Sequence, residues 1–204
     1  ESFYDDVKAI PAGKKMLMDT SIANYRIYSN ISADVEVINE PDPTVYMKSI
    51  KNEVEIANIR EAHKKDAVAM IKFMYWLKTN VGKIPMTEIS AADHLADLRA
   101  GQEGFLDLSF DTICGYAEHG AIVHYSATPE SDIALKPEGL LLVDSGGHYL
   151  EGTTDITRTF ALGPVTDEMK ADFTRVLRSH TSLANAKFLH GCTGVNLDIL
   201  ARAP

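Results

Sequence analysis

Two aspartates, Asp144 and Asp155, flank a glycine-bearing connection near the middle of the second half of the chain. Asp144 follows the apolar run 140–143, and Asp155 opens the run 155–160, which is rich in β-branched residues. This composition predicts two strands joined by a short turn. Carboxylates at the end of a buried strand need partners, and two adjacent carboxylates repel unless a cation or a shared proton lies between them. One or two divalent metal ions would meet this need, and the alternative is an ordinary turn in which Asp155 caps backbone amides.

His124 is the second candidate for chemistry. It lies in the segment 120–125, whose sequence is GAIVHY. The apolar neighbours fit a strand that carries a structural histidine, and the spacing alone favours that role. An imidazole can also donate or accept a proton near neutral pH, so a role in catalysis stays open. We expect the hairpin register to pair Asp144 with Asp155 on one cleft, with His124 pointing into it.

Three blocks of the sequence resemble the pita-bread metallopeptidases, and most closely their aminopeptidase P branch. The blocks are residues 87–93 with 107–110, residues 120–125, and residues 144–159. Their order and spacing agree with that branch, and the resemblance extends over about residues 45–203. It implies a fold of the α/β (α+β) class, namely a partial pita-bread catalytic domain with helices packed on a curved, mostly antiparallel sheet.

The resemblance implies roles for five residues. Asp144 would chelate one of two divalent metal ions, Asp155 would bridge both, and Thr157 would support a carboxylate ligand from behind. His124 would be the catalytic residue that contacts the substrate around the scissile amide, and Phe110 would lie near the residue before proline. A ligand set of oxygens with a single histidine favours Mn²⁺, with Zn²⁺ or Co²⁺ as alternatives.

The implied reaction is release of the N-terminal residue from peptides with proline in the second position. The alternatives are a prolidase that cleaves Xaa-Pro dipeptides and a pita-bread pseudoenzyme that serves as an interaction module. The family's metal centre also uses a histidine and two glutamates, and we expect all three to lie beyond Pro204. The chain is therefore expected to be a fragment that is inactive by itself, taken from a protein that is a homodimer. His119 replaces an asparagine that is usual in relatives, so its role stays open.

Linker and helix signals predict two domains. Residues 1–43 are expected to be the end of a preceding creatinase-like α/β domain, because two prolines in 39–43 mark a linker. Residues 44–204 are expected to be the first part of the catalytic domain. In the first region we predict strands at 15–19 and 35–38, with a helix from a Thr20 or Ser21 cap to Tyr28. The later predicted helices run from a Thr44 cap to about Ile50, from Asn52 to about Thr79, from Thr87 to Ala100, from Thr166 to about Phe188, and over 195–203.

Composition limits the classes of partner. The chain has 204 residues, of which 45% are hydrophobic and 24% charged, as in ordinary globular proteins. A net charge of −9 argues against nucleic acid and against an anionic membrane surface. Neither a membrane-spanning apolar run nor a signal-peptide pattern is present in the sequence. Cys114 and Cys192 lie far apart, which predicts buried free thiols in a reducing cytoplasm.

Overall fold

The computed structural model describes residues 2–204 and divides after Ile56. The second unit runs from Ala57 to Pro204. The division lies later than the expected boundary after residue 43, inside the first turn of the helix Glu53–Asn80. The start of that helix contributes little to a core, because Val54 and Ile56 are exposed.

The first unit contains three short helices and two parallel strands. Its elements are α1 (Ser2–Lys8), β1 (Lys15–Leu17), α2 (Tyr25–Ser29), β2 (Glu36–Ile38) and α3 (Pro43–Ser49). Two expected caps are wrong. The Asn24 side chain accepts an early backbone N–H of α2, so that helix does not begin at Thr20 or Ser21. Asp42 caps α3 by accepting the N–H of Thr44 at 2.8 Å, so Thr44 lies inside the helix.

The next two helices confirm the sequence prediction. They are α4 (Glu53–Asn80) and α5 (Glu88–Ala100). Thr87 and Ser90 form a reciprocal cap at the start of α5. The N–H of Ser90 donates to the Thr87 hydroxyl at 3.2 Å, and the N–H of Thr87 donates to the Ser90 hydroxyl at 2.8 Å. Gly101 ends the helix, as expected.

The strands of the second unit form two antiparallel sheets of three strands each. The strands are β3 (Phe105–Leu108), β4 (Ile113–Tyr116), β5 (Leu140–Ser145), β6 (Gly147–Tyr149), β7 (Gly152–Thr153) and β8 (Ile156–Ala161). One sheet has the order β3-β6-β7 and the other β4-β5-β8. The antiparallel prediction is confirmed for this unit. The expected short connection between the aspartate strands is wrong, because β6 and β7 form a hairpin there that joins the other sheet.

Two helices follow β8. They are α6 (Asp167–Ala184) and α7 (Gly194–Arg202). Thr166 caps α6 as expected, since its hydroxyl accepts a backbone N–H of the first turn at 3.1 Å. The helix ends at Ala184 and not near Phe188, because Asn185 closes the last turn. The backbone N–H and the side-chain amide of Asn185 both donate to the carbonyl of Thr181, at 3.0 and 2.9 Å.

The core of the second unit is formed by α4, α5 and the β4-β5-β8 sheet. Its fully buried members include Phe73, Leu77, Ala91, Leu95, Leu141 and Val143. Burial alternates along β5, so Leu141, Val143 and Ser145 face inward and Asp144 faces the opposite side. The apolar half of the strand therefore anchors the sheet and leaves the carboxylate accessible.

The two thiols have different surroundings. Cys114 is buried in the core, as expected, whereas Cys192 is exposed, so that part of the prediction is wrong. Cys192 lies after α6 in an exposed stretch of chain. The nearby apolar residues Leu189 and Val195 are exposed too. Between residues 2 and 204, no helix has the length and apolarity that a membrane span requires.

Candidate functional site

Pairing of β5 with β8 places the two candidate aspartates near one another. Asp144 lies opposite Thr157, and Asp155 lies just before β8, two positions ahead of Thr157. Asp144 and Asp155 are therefore diagonal neighbours, and the expectation that the register pairs them directly is wrong. The Thr157 hydroxyl donates to Asp144 Oδ1 at 2.7 Å. This bond fixes the orientation of the Asp144 carboxylate.

The backbone crosses itself closely between the two aspartates. A Cβ on Gly146 would lie 2.0 Å from the carbonyl oxygen of Thr154, so only glycine fits there. The buried Thr154 hydroxyl accepts the N–H of Gly147 at 2.9 Å, and the Thr154 N–H donates to the Gly147 carbonyl, also at 2.9 Å. Main-chain contacts thus set the separation of the two carboxylates.

Ser109 joins this crossing from the other sheet. Its hydroxyl donates to the Thr154 carbonyl at 2.9 Å, and its N–H donates to the Gly146 carbonyl at 3.2 Å. No sequence signal assigned a role to Ser109 or Thr154. Gly146 was the available signal, because a glycine beside a strand often marks a close backbone approach.

One cavity of about 450 Å³ is lined by four of the five predicted site residues. Asp144 and Asp155 line it together with His124 and Phe110, and Thr157 contacts Asp144 from outside the lining. The remaining lining residues are Asp111, Ile113, Tyr125 and Ser126. Asp111, which the sequence analysis missed, brings a third carboxylate to the cavity.

His124 lies in a loop and not in the strand that its apolar neighbours suggested. After β4 the chain makes a short 3-10 helix, Ala117–Ala121. His124 then adopts a left-handed backbone with φ of 55°. Ile122 and Val123 are exposed, so burial of apolar side chains does not stabilise this segment. A non-glycine residue keeps such a conformation only when its surroundings impose it.

A buried polar cluster lies beside this loop. It consists of Glu88, His119 and Tyr125, and is named here the Glu88 cluster. The Glu88 carboxylate is fully buried and accepts the Tyr125 hydroxyl at 2.9 Å and the backbone N–H of Tyr116 at 2.7 Å. His119 Nδ1 lies 3.0 Å from each Glu88 oxygen. Burial raises the pKa of the Tyr125 phenol, so its O–H stays available as a donor.

The donor atoms in the cavity fit part of a metal site. Carboxylate oxygens of Asp144 and Asp155 suit a hard divalent cation, and Thr157 already orients one of them. Across residues 2–204, no group of three or more His, Cys, Asp or Glu side chains is arranged to hold a metal ion.

Comparison with known proteins connects this geometry to a family. Residues 57–204 match the family model described as Metallopeptidase family M24, a range that includes every residue lining the cavity. The chain belongs to the M24 metallopeptidase family. Residues 1–55 match a second description, the Creatinase/Prolidase N-terminal domain. The M24 match begins where the second unit of the structure begins, at Ala57.

Curated relatives of this M24 chain include two plant proteins. Aminopeptidase P1 of Arabidopsis thaliana is 35% identical over 211 residues, covering 93% of this chain and 33% of the relative. Aminopeptidase P2 of the same plant is 42% identical over 176 residues, covering 86% of this chain and 25% of the relative. The chain spans a third or less of the length of these two relatives.

Solved M24 structures share the fold. An X-prolyl aminopeptidase from Caenorhabditis elegans, described as a cytosolic enzyme with a di-nuclear active site, has a TM-score of 0.78 and 34% identity, covering 93% of this chain and 30% of that one. An Xaa-Pro dipeptidase from Bacillus anthracis has a TM-score of 0.73 and 25% identity, covering 93% and 51%. The expected fold class, an α+β pita-bread catalytic domain, is confirmed.

Proposed function

We propose that this M24 protein is a metal-dependent aminopeptidase that releases the N-terminal residue from peptides with proline in the second position. The observation that carries the proposal is the cavity in which Asp144, Asp155, His124 and Phe110 meet. The names of the curated relatives, which are 35% and 42% identical, support the same reaction. Because the chain spans a third or less of those relatives, the proposal concerns the intact protein.

Two divalent metal ions would bind at this cavity, with Mn²⁺ favoured over Zn²⁺ or Co²⁺ because the donors are oxygens. Asp144 would ligate one ion and Asp155 would bridge both. The resemblance to the family implies a histidine and two glutamates as the remaining ligands. Residues 2–204 contain no group of three or more His, Cys, Asp or Glu side chains arranged to hold a metal ion. When bound, such ions polarise a scissile carbonyl and lower the pKa of a bound water.

The side chains of this chain would divide the remaining work. Thr157 donates to Asp144 and so keeps that carboxylate turned toward the ion. The exposed imidazole of His124 would donate or accept a hydrogen bond at the scissile amide. The ring of Phe110 would contact the residue before proline through its apolar face.

A prolidase that acts only on Xaa-Pro dipeptides is the second candidate. The Bacillus anthracis dipeptidase favours it, since it covers 93% of this chain with a TM-score of 0.73. The dipeptidase is 25% identical to this chain, whereas the Caenorhabditis elegans aminopeptidase is 34% identical. The higher identity to the aminopeptidase supports our first proposal. Cleavage of Xaa-Pro tripeptides and longer peptides separates the two, and a protein that binds metal but cleaves neither class would be a pseudoenzyme that serves as an interaction module. We propose in addition that the intact protein is a homodimer and lies in the cytoplasm.

The test replaces Asp155 with Asn in the intact protein. The amide keeps the shape but loses the bridging charge, so we expect loss of metal and of Xaa-Pro cleavage with the fold intact. The matched control is Asp172→Asn on the exposed side of α6, where both should stay unchanged. His124→Ala should lower turnover while metal stays bound. Full metal occupancy with near-normal rates in Asp155→Asn would refute the metal site.

A further inference from the structure

Glu88 is a buried charge with a complete set of donors. Its side chain is fully buried at the first position of α5, and three groups converge on it: the Tyr116 N–H, the Tyr125 hydroxyl and the His119 imidazole. A carboxylate taken out of water is costly unless such bonds are made. Because the carboxylate only accepts, His119 must carry its proton on Nδ1 and donate it. The cluster therefore has one arrangement in which every member is satisfied.

The same carboxylate holds both ends of the His124 loop. His119 and Tyr125 flank residues 120–124, and both donate to Glu88. Their rings lie against each other with centroids 4.5 Å apart. Between them, the N–H of Ile122 donates to the His119 carbonyl at 3.1 Å, and the N–H of Tyr125 donates to the Ile122 carbonyl at 3.2 Å. The loop is thus two consecutive turns pinned at their outer ends.

Burial does not hold the outer part of the loop. Residues 121–124 are exposed, and Val123 is 84% exposed. The left-handed backbone of His124 costs free energy, which the contacts at the two ends must offset. Tyr125 directly follows His124 and is only 7% exposed, so a buried side chain that binds Glu88 restrains the backbone next to His124. Glu88 itself does not line the cavity that His124 lines, so it acts through these neighbours.

We propose that Glu88, acting through His119 and Tyr125, is the positioning residue that holds the His124 imidazole in the candidate site. The role of His124 in the reaction rests on the proposed function, whereas its placement by the Glu88 cluster does not. The cluster gives His119 a role, since its imidazole reaches the buried carboxylate from the far end of the loop. It also gives the loop a fixed shape without an apolar core.

The test removes one hydroxyl of the cluster, which also lies 3.2 Å from the Ser131 hydroxyl, and leaves the packing of the ring in place. Tyr125→Phe keeps the ring against His119 but deletes the hydroxyl that donates to Glu88. The matched control is Tyr149→Phe, which deletes another buried hydroxyl whose bond goes to the carboxylate of Asp66 at 3.1 Å. Glu88→Gln is the second variant. All are made in the intact protein, and the first two are expected to fold.

The first readout is independent of activity. In protein with labelled histidines, we expect the His124 imidazole resonances to shift and broaden in Tyr125→Phe and to stay unchanged in Tyr149→Phe. A merely structural role would lower thermal stability in both variants and leave the His124 signal in place. Unchanged His124 resonances in both Tyr125→Phe and Glu88→Gln would overturn the proposal.

The second readout is turnover of an Xaa-Pro peptide. We expect Tyr125→Phe to lower kcat by about tenfold with KM and metal content little changed, because a displaced catalytic group loses its geometry. In a His124→Ala background the same change should have no further effect, since the group that it positions is gone. Equal losses in both backgrounds would contradict positioning. If the wild-type protein cleaved no Xaa-Pro peptide, the proposed function would fail while the resonance test still decided the placement.

Discussion

The aspartate strands and the histidine loop reach the same cavity by different means. Asp144 and Asp155 are placed by backbone pairing of β5 with β8 and by the crossing at Gly146. His124 is placed by side chains that meet on one buried carboxylate, Glu88. The first arrangement is rigid because many main-chain bonds share it, and the second depends on a few bonds. The difference predicts that a similar substitution should unfold the aspartate strands but only displace the histidine loop.

The largest effect is expected from Gly146→Ala. The new Cβ would lie 2.0 Å from the Thr154 carbonyl oxygen, and neither backbone can yield without breaking the strand pairing. We expect a loss of about 3 kcal/mol or more in the free energy of unfolding, at the upper end for overpacked sites. Urea unfolding measures it. Gly194→Ala is the control, because nothing lies within 4 Å of its Cβ position.

The same change at Gly115, in β4 beneath the loop, should be milder for the fold and harsher for His124. A Cβ on Gly115 would lie 2.9 Å from the backbone of His119 and Gly120, so it presses on the base of the loop. Because the loop is exposed and can move, we expect Gly115→Ala to cost only about 1–2 kcal/mol of stability. Turnover should fall with metal content kept. A stability loss equal to that of Gly146→Ala would show that the loop is as rigid as the strands.

The smallest effect concerns the two thiols, which test whether the sheet is rigid. Burial, with the nearby charges of Glu88 and Asp132, raises the pKa of Cys114 to about 12. A pKa raised in the fold means that the stability contributed by the neutral thiol is present below pH of about 9 and lost as the pH rises toward 12. Cys114→Ala should therefore flatten the alkaline fall in stability.

Thiol labelling at neutral pH checks the same comparison. Cys192 is exposed and should react at once, whereas Cys114 should react only as fast as the sheet opens. Rapid labelling of Cys114 in the native protein would mean that β4 opens readily. That result would contradict the view that the strands are more rigid than the loop.

The sequence by itself determined the features that depend on neighbours along the chain. The Thr87 cap, the Gly101 stop and the Thr166 cap were read correctly because each bond joins residues within one helical turn. The apolar run before Asp144 marked a strand because it too is a pattern of neighbouring residues. The block pattern identified the fold class, and the roles of the five predicted site residues came from the family resemblance that this pattern carries.

Only the tertiary structure decided how distant residues meet. The β6-β7 hairpin joins β3, which comes from far upstream, so no local signal could show that the link between the aspartates belongs to another sheet. The offset register of Asp144 and Asp155 follows from that insertion. The Glu88 cluster joins α5 to residues about thirty positions later, and each of its members looks ordinary in the sequence. Its hydrogen bonds offset the cost of burying a charge, and both that cost and those bonds exist only once the chain has folded.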